Sequence, residues 1–85
     1  MSDALERLRS APAKVVGLKQ TLKAVRRGEV ELVFMAEDAE PHVLRELQQL
    51  CQEQAIPIEW VASMRELGKA AGIQVNSATV ALLRV

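Results

Sequence analysis

Apolar residues change their spacing several times along this chain, and each change marks an element. Leu5 and Leu8 lie three apart in residues 3–10, the contacts of a short first helix, and Pro12 ends it by pushing the preceding residue out of helical space. Residues 14–17 read as a short strand. From Leu18 to Arg27 the apolar positions return with helical periodicity, and Gly28 closes that helix. Leu32 to Ala36 is an unbroken apolar run of strand length, the pattern of a central strand covered on both faces.

Pro41, preceded by Glu37, Asp38 and Glu40, marks a helix start: proline suits the first helical position and acids suit the positive helix end. Val43, Leu47, Leu50 and Cys51 give that helix its buried side. Pro57 breaks it, and Ile58 to Val61 form the next strand. Ser63 and Glu66 have capping-box spacing for a short helix carrying Leu67 and Ala70. Gly72 closes it, residues 73–78 form a loop, and residues 79–85 form a last strand. Strict alternation of helix and strand predicts a three-layer α/β/α sandwich around a mixed, mainly parallel four-stranded sheet, as one domain over residues 1–85.

Composition adds little until charge is mapped. About half of the 85 residues are hydrophobic and the formal net charge is zero, a balance that on its face disfavours a nucleic-acid partner. The distribution changes this. Residues 7–28 hold seven bases and no acid, whereas residues 29–85 hold nine acids and four bases. Such asymmetry points to a polyanion on the basic side. No uninterrupted apolar run is long enough to span a membrane, and the first residues lack the apolar core of a secretion signal. A lone cysteine, Cys51, forms no intramolecular disulfide and fits a reducing, cytoplasmic setting.

The helix over residues 18–27 carries the most chemistry. At about 100° per residue, Leu18, Thr21, Leu22 and Val25 share one side, while Lys19, Gln20, Lys23, Arg26 and Arg27 fall in an arc of roughly 120° on the other. Two readings of this stripe stand. A surface helix is often basic merely to stay solvated. Against that, no acid is interleaved at i to i+4 spacing, and the stripe begins after Gly17, where a helix start offers free N–H groups and no side chain obstructs an anion. The loop Ile73-Gln74-Val75-Asn76-Ser77 alternates aliphatic with amide and hydroxyl groups, which suits packing on bases. Taken alone, its residues read better as Ile73 and Val75 tucked into the core and Asn76-Ser77 in a turn.

Enzyme readings fail one by one. Residues 17–21 resemble a phosphate loop but lack the second glycine and the Gly-Lys-Ser/Thr ending. His42 and Cys51 lie nine apart on a helix, about 180° around it, unsuited to a metal pair or a thiol–imidazole couple. No catalytic, metal or cofactor constellation emerges.

Three blocks, residues 17–28 (GLKQTLKAVRRG), 36–41 (AEDAEP) and 66–73 (ELGKAAGI), give the chain a resemblance to the ribosomal protein L7Ae family, and more narrowly to its small bacterial members. The similarity runs over essentially the whole chain, with the blocks in the right order and spacing. It implies the α/β/α sandwich and a non-enzymatic RNA-binding monomer. The implied partner is the kink-turn, a sharply bent RNA element built on tandem sheared G·A pairs, in the large ribosomal subunit or another structured RNA. The resemblance assigns guanine edges to Lys19 and Gln20 beside the Gly17 helix start, a guanine or phosphate to Lys23, and phosphates to Arg26 and Arg27. It implies that Ile73, Gln74, Val75, Asn76 and Ser77 cover the extruded nucleotide, with Glu40, Leu44 and Met64 helping to form its pocket. Archaeal and eukaryotic members have Asn-Glu where Lys19-Gln20 stand, so an altered sequence preference follows. Three other classes remain: a structured-RNA or assembly binder without kink-turn preference, a protein-interaction module using the acidic surface of residues 37–53, and a small-molecule or phosphate-binding domain, which the α/β/α layout permits but no motif supports.

Overall fold

A computed structural model describes residues 3–84, in the order α1 (Asp3–Ser10), β1 (Lys14–Val16), α2 (Leu18–Arg26), β2 (Val30–Ala36), α3 (Pro41–Glu53), β3 (Ile58–Val61), α4 (Met64–Ala70) and β4 (Thr79–Leu83). The four strands form one sheet in the order β1-β4-β2-β3. α2 packs beside α3 on one face and α1 beside α4 on the other, which is the predicted three-layer α/β/α sandwich.

The sheet is mixed, and the expectation of a mainly parallel one needs refinement. β1, β2 and β3 run the same way, but β4 enters between β1 and β2 in the opposite direction. Two of the three pairings are therefore antiparallel, and only β2 with β3 is parallel. The cause is the connection into β4. α4 and the loop after it return the chain on the side where β1, β2 and β3 end, so β4 must start at those ends and run back.

β2 is the central strand. Val30 and Leu32 to Ala36 are all buried, with Phe34 the largest fully buried side chain. It begins two residues earlier than the apolar run suggests, because Glu31 sits in a bulge. Val30 pairs with Leu83 and Leu32 with Leu82, leaving Glu31 unpaired and exposed. α3 buries Leu44, Leu47 and Cys51, while Val43 and Leu50 are only half-buried. Burial pushes the Cys51 thiol above its ordinary pKa, which keeps it protonated and unreactive at neutral pH. His42 lies on the surface.

The helix ends follow backbone rules with one exception. At α2, Gly28 N–H donates to Val25 and Glu29 N–H to Ala24; at α4, Gly72 N–H donates to Lys69 and Ile73 N–H to Gly68. Both are Schellman closures with glycine at positive φ. α3 closes by the same bonds, Ala55 N–H to Gln52 and Ile56 N–H to Cys51, but with Ala55 at φ 56°. A Cβ in that conformation costs about 1 kcal/mol or more. Ala55→Gly is therefore expected to stabilise the fold by about 1 kcal/mol, after allowance for the greater freedom of glycine in the unfolded chain. A higher urea midpoint at unchanged slope is the expected result, and an unchanged or lower midpoint contradicts it.

Candidate nucleic-acid interface

β1, β2 and β3 all end on one side of the sheet, where β4 begins. Gly17 N–H donates to Thr79 C=O at 2.9 Å, Ala36 N–H to Ala78 C=O at 3.0 Å and Glu37 N–H to Val61 C=O at 2.8 Å. These bonds bring the start of α2, the acidic turn before α3, the start of α4 and the 73–77 loop to a single rim.

Gly17 caps the start of α2 at φ 98°, ψ 157°, a conformation essentially reserved for glycine. A Cβ built there meets nothing within 4 Å, so the glycine serves backbone geometry rather than crowding. Among the described residues no side chain caps this helix start, leaving its first-turn N–H groups for a partner. Thr21, Leu22, Ala24 and Val25 are buried; Lys19, Gln20, Lys23, Arg26 and Arg27 are exposed. The amphipathic division read from the sequence is the one the fold uses. The cations are not equivalent. Arg26 pairs with Glu46 on the adjacent α3, whereas Lys19, Lys23 and Arg27 have no ion-pair partner among the described residues.

The loop is held from beneath. Ser77 is buried, its N–H donating to Met64 C=O at 3.1 Å and its hydroxyl to Thr79 C=O at 2.7 Å. Gln74, Val75 and Asn76 are exposed, Val75 at 69 %, and Ile73 is half-buried. The tucked reading holds in part for Ile73 and fails for Val75. Ser77, by contrast, spends its polar groups inside the protein. Met64 is half-buried at the rim, Glu40 is exposed beside His42, and Leu44 lies in the core with 2 % exposure.

Three organising residues were not singled out from the sequence. Thr79 C=O accepts from both Gly17 N–H and the Ser77 hydroxyl, and its own hydroxyl lies 3.4 Å from that of Thr21, both threonines being fully buried. Nothing local in a Thr at a strand start signals this. Asp38 looks like an acid for the start of α3, but its carboxylate accepts from Met64 N–H at 2.8 Å, at the start of α4. Gly68 did carry a signal, since glycine inside a helix has a cost that usually has a packing reason. A Cβ there would collide with Val75 C=O and come within 3.2 Å of its carbonyl carbon, so the missing side chain lets the loop lie on α4.

Fold and site define a small α/β/α binding domain whose cationic, uncapped helix start suits a polyanion. The chain belongs to the ribosomal protein L7Ae/L30e/S12e/Gadd45 family, whose model matches residues 1–85. It is 47% identical over 70 residues to an RNA-binding protein of Caldanaerobacter subterraneus, covering 82% of this chain and 85% of the relative. It is 48% identical over 77 residues to one of Halalkalibacterium halodurans, covering 91% and 94%. Among solved structures, the Giardia lamblia 15.5kD RNA binding protein superposes with a TM-score of 0.84 at 28% identity, over 95% of this chain and 68% of that one.

Ordinarily Gly→Ala inside a helix gains up to about 1 kcal/mol. Gly68→Ala should reverse that sign and cost about 1–3 kcal/mol through overpacking, while moving the backbone amide resonances of residues 73–77. A stabilised variant with an unmoved loop spectrum contradicts the packing assigned to Gly68.

Proposed function

We propose that this protein binds structured RNA and recognises kink-turns, holding the bent conformer without making or breaking a covalent bond. One arrangement carries the reading: a glycine-only, uncapped helix start with Lys19, Gln20 and Lys23 on its exposed side, bonded through Thr79 to a loop that presents Val75 to solvent. A kinked RNA offers this rim two things that a regular duplex lacks, exposed guanine edges at the sheared pairs and a nucleotide thrown out of the stack.

In this reading Lys19 donates to guanine acceptors, and Gln20 offers both a donor and an acceptor to a base edge. Lys23 meets a guanine or a phosphate, and Arg27 meets a phosphate. Arg26 reaches one only by leaving Glu46. Ile73 to Asn76 cover the extruded nucleotide, Ser77 holds that loop from inside, and Met64 and Glu40 border the pocket. Leu44 backs it from the core. The protein thus selects a bent state already present in the RNA's own equilibrium. rRNA and regulatory RNA both qualify as hosts, and the reading places the protein in the cytoplasm as a monomer.

Phosphate contacts by Arg27 alone, or by Arg27 and Lys23 together, contribute a slope of about −0.7 to −1.8 in log affinity against log salt, at 0.7–0.9 per contact. Lys19→Ala and Gln20→Ala should each cost roughly 1–3 kcal/mol on a kink-turn and much less on a plain duplex. Arg26→Ala should cost less and act alike on both RNAs, and Glu46→Gln should tighten binding by freeing Arg26. Equal losses on both RNAs for the Lys19, Gln20 and Arg26 variants would sink the base-reading roles. The protein-interaction alternative predicts that Lys23→Glu with Arg27→Glu leaves the partner bound.

A further inference from the structure

β3 is an edge strand, since the order β1-β4-β2-β3 leaves one side of it without a neighbour. Its other side is bonded to β2, with Val33 N–H donating to Pro57 C=O and Glu37 N–H to Val61 C=O. A parallel ladder alternates, so the N–H and C=O groups of Ile58 and Trp60 point to the open side. No turn or loop among the described residues bonds to them.

Two side chains give this open edge its character. Trp60, the only tryptophan of the chain, is 44 % exposed, although so large a side chain is ordinarily buried in a core or an interface. Glu59 lies next to it on the opposite face of the strand, exposed and without an ion-pair partner among the described residues. Glu37, bonded to the end of β3, and Glu53, at the end of the helix before it, are likewise exposed and unpaired among those residues. Residues 46–64 hold three acids and no lysine or arginine.

Such an edge repels phosphate, and α2 packs mainly over β1 and β4, on the other side of the sheet. The edge is therefore no extension of the basic rim. A second copy is also disfavoured. Two β3 edges laid antiparallel about Glu59 set that carboxylate opposite its own copy, and directly opposed like charges destabilise a ladder. Glu59 alone guards the edge against chance pairing, but a guard needs no exposed tryptophan beside it.

We propose that the open edge of β3 takes an extended, basic segment of another protein as an added strand. Ile58 and Trp60 supply the main-chain bonds. Strand alternation sets a cation of the partner beside Glu59 and an apolar side chain against Trp60. The site stands apart from the RNA reading and uses none of its residues.

The single tryptophan lets fluorescence read this edge directly. The full chain is titrated with a short peptide alternating Lys with Val or Thr, with the same peptide carrying Glu for Lys, and with one carrying Pro at alternate positions. The Lys peptide should shift Trp60 emission to the blue and saturate. Glu59→Lys, an exposed change that suits an edge strand, should weaken that binding about fivefold. The Pro peptide lacks donors for the ladder and should bind about tenfold more weakly, and the Glu peptide should fare no better. Emission unmoved by the Lys peptide would overturn the site. Wild-type affinity in Glu59→Lys, or equal affinity for the Lys and Glu peptides, would overturn the basic partner. Equal affinity for the Pro peptide would overturn strand addition. A blue shift that grows with protein concentration alone, with a doubled mass in ultracentrifugation, would overturn the proposal in favour of a second copy.

Discussion

The carbonyl of Thr79 is the point on which the site's geometry depends. β4 enters the sheet antiparallel between β1 and β2, so its first residue lies where the other three strands end. There a single buried oxygen accepts from Gly17 N–H and from the Ser77 hydroxyl. Residues 60 positions apart are thereby held to one atom, and Thr21 ties the first turn of α2 to the same strand start. A buried donor left without its acceptor costs about 1–3 kcal/mol, so the helix start and the loop keep their relative placement together or lose it together. The start of α2 and the 73–77 loop therefore form one rim rather than a helix beside an independent loop.

The elements themselves are legible from periodicity, proline and glycine, because those signals are local. Pro12, Pro41, Gly28 and Gly72 stand at or beside the boundaries they imply, and Ser63 caps α4 through Glu66 N–H as its spacing predicts. The start of β2 is hidden because a bulge turns Glu31 outward in a strand that is otherwise buried. Ala55 shows how a non-glycine closes a helix without announcing it. Sheet order is least legible. Alternation predicts layers, but the direction of β4 depends on where a loop returns the chain.

The site divides in the same way. The stripe on α2 follows from helical geometry, so Lys19, Gln20, Lys23 and Arg27 lie where periodicity puts them. Which cations are free does not follow, since Arg26 meets Glu46 twenty residues away on another helix. The inward turn of Ser77 and the outward turn of Val75 depend on Gly68 and Met64, contacts that no spacing rule contains. Zero net charge is likewise uninformative. Arg7, Arg9 and Arg26 are neutralised in place by neighbouring acids, while among the described residues Lys19, Lys23 and Arg27 are left unpaired.

The most direct test of the account is a titration of purified protein against two labelled RNAs in about 0.1 M salt, one with a kink-turn and one with its tandem G·A pairs changed to Watson–Crick pairs. The account predicts a preference of a hundredfold or more for the kink-turn, about 2.7 kcal/mol. Equal, weak binding to both would contradict it and reduce the basic face to general electrostatics.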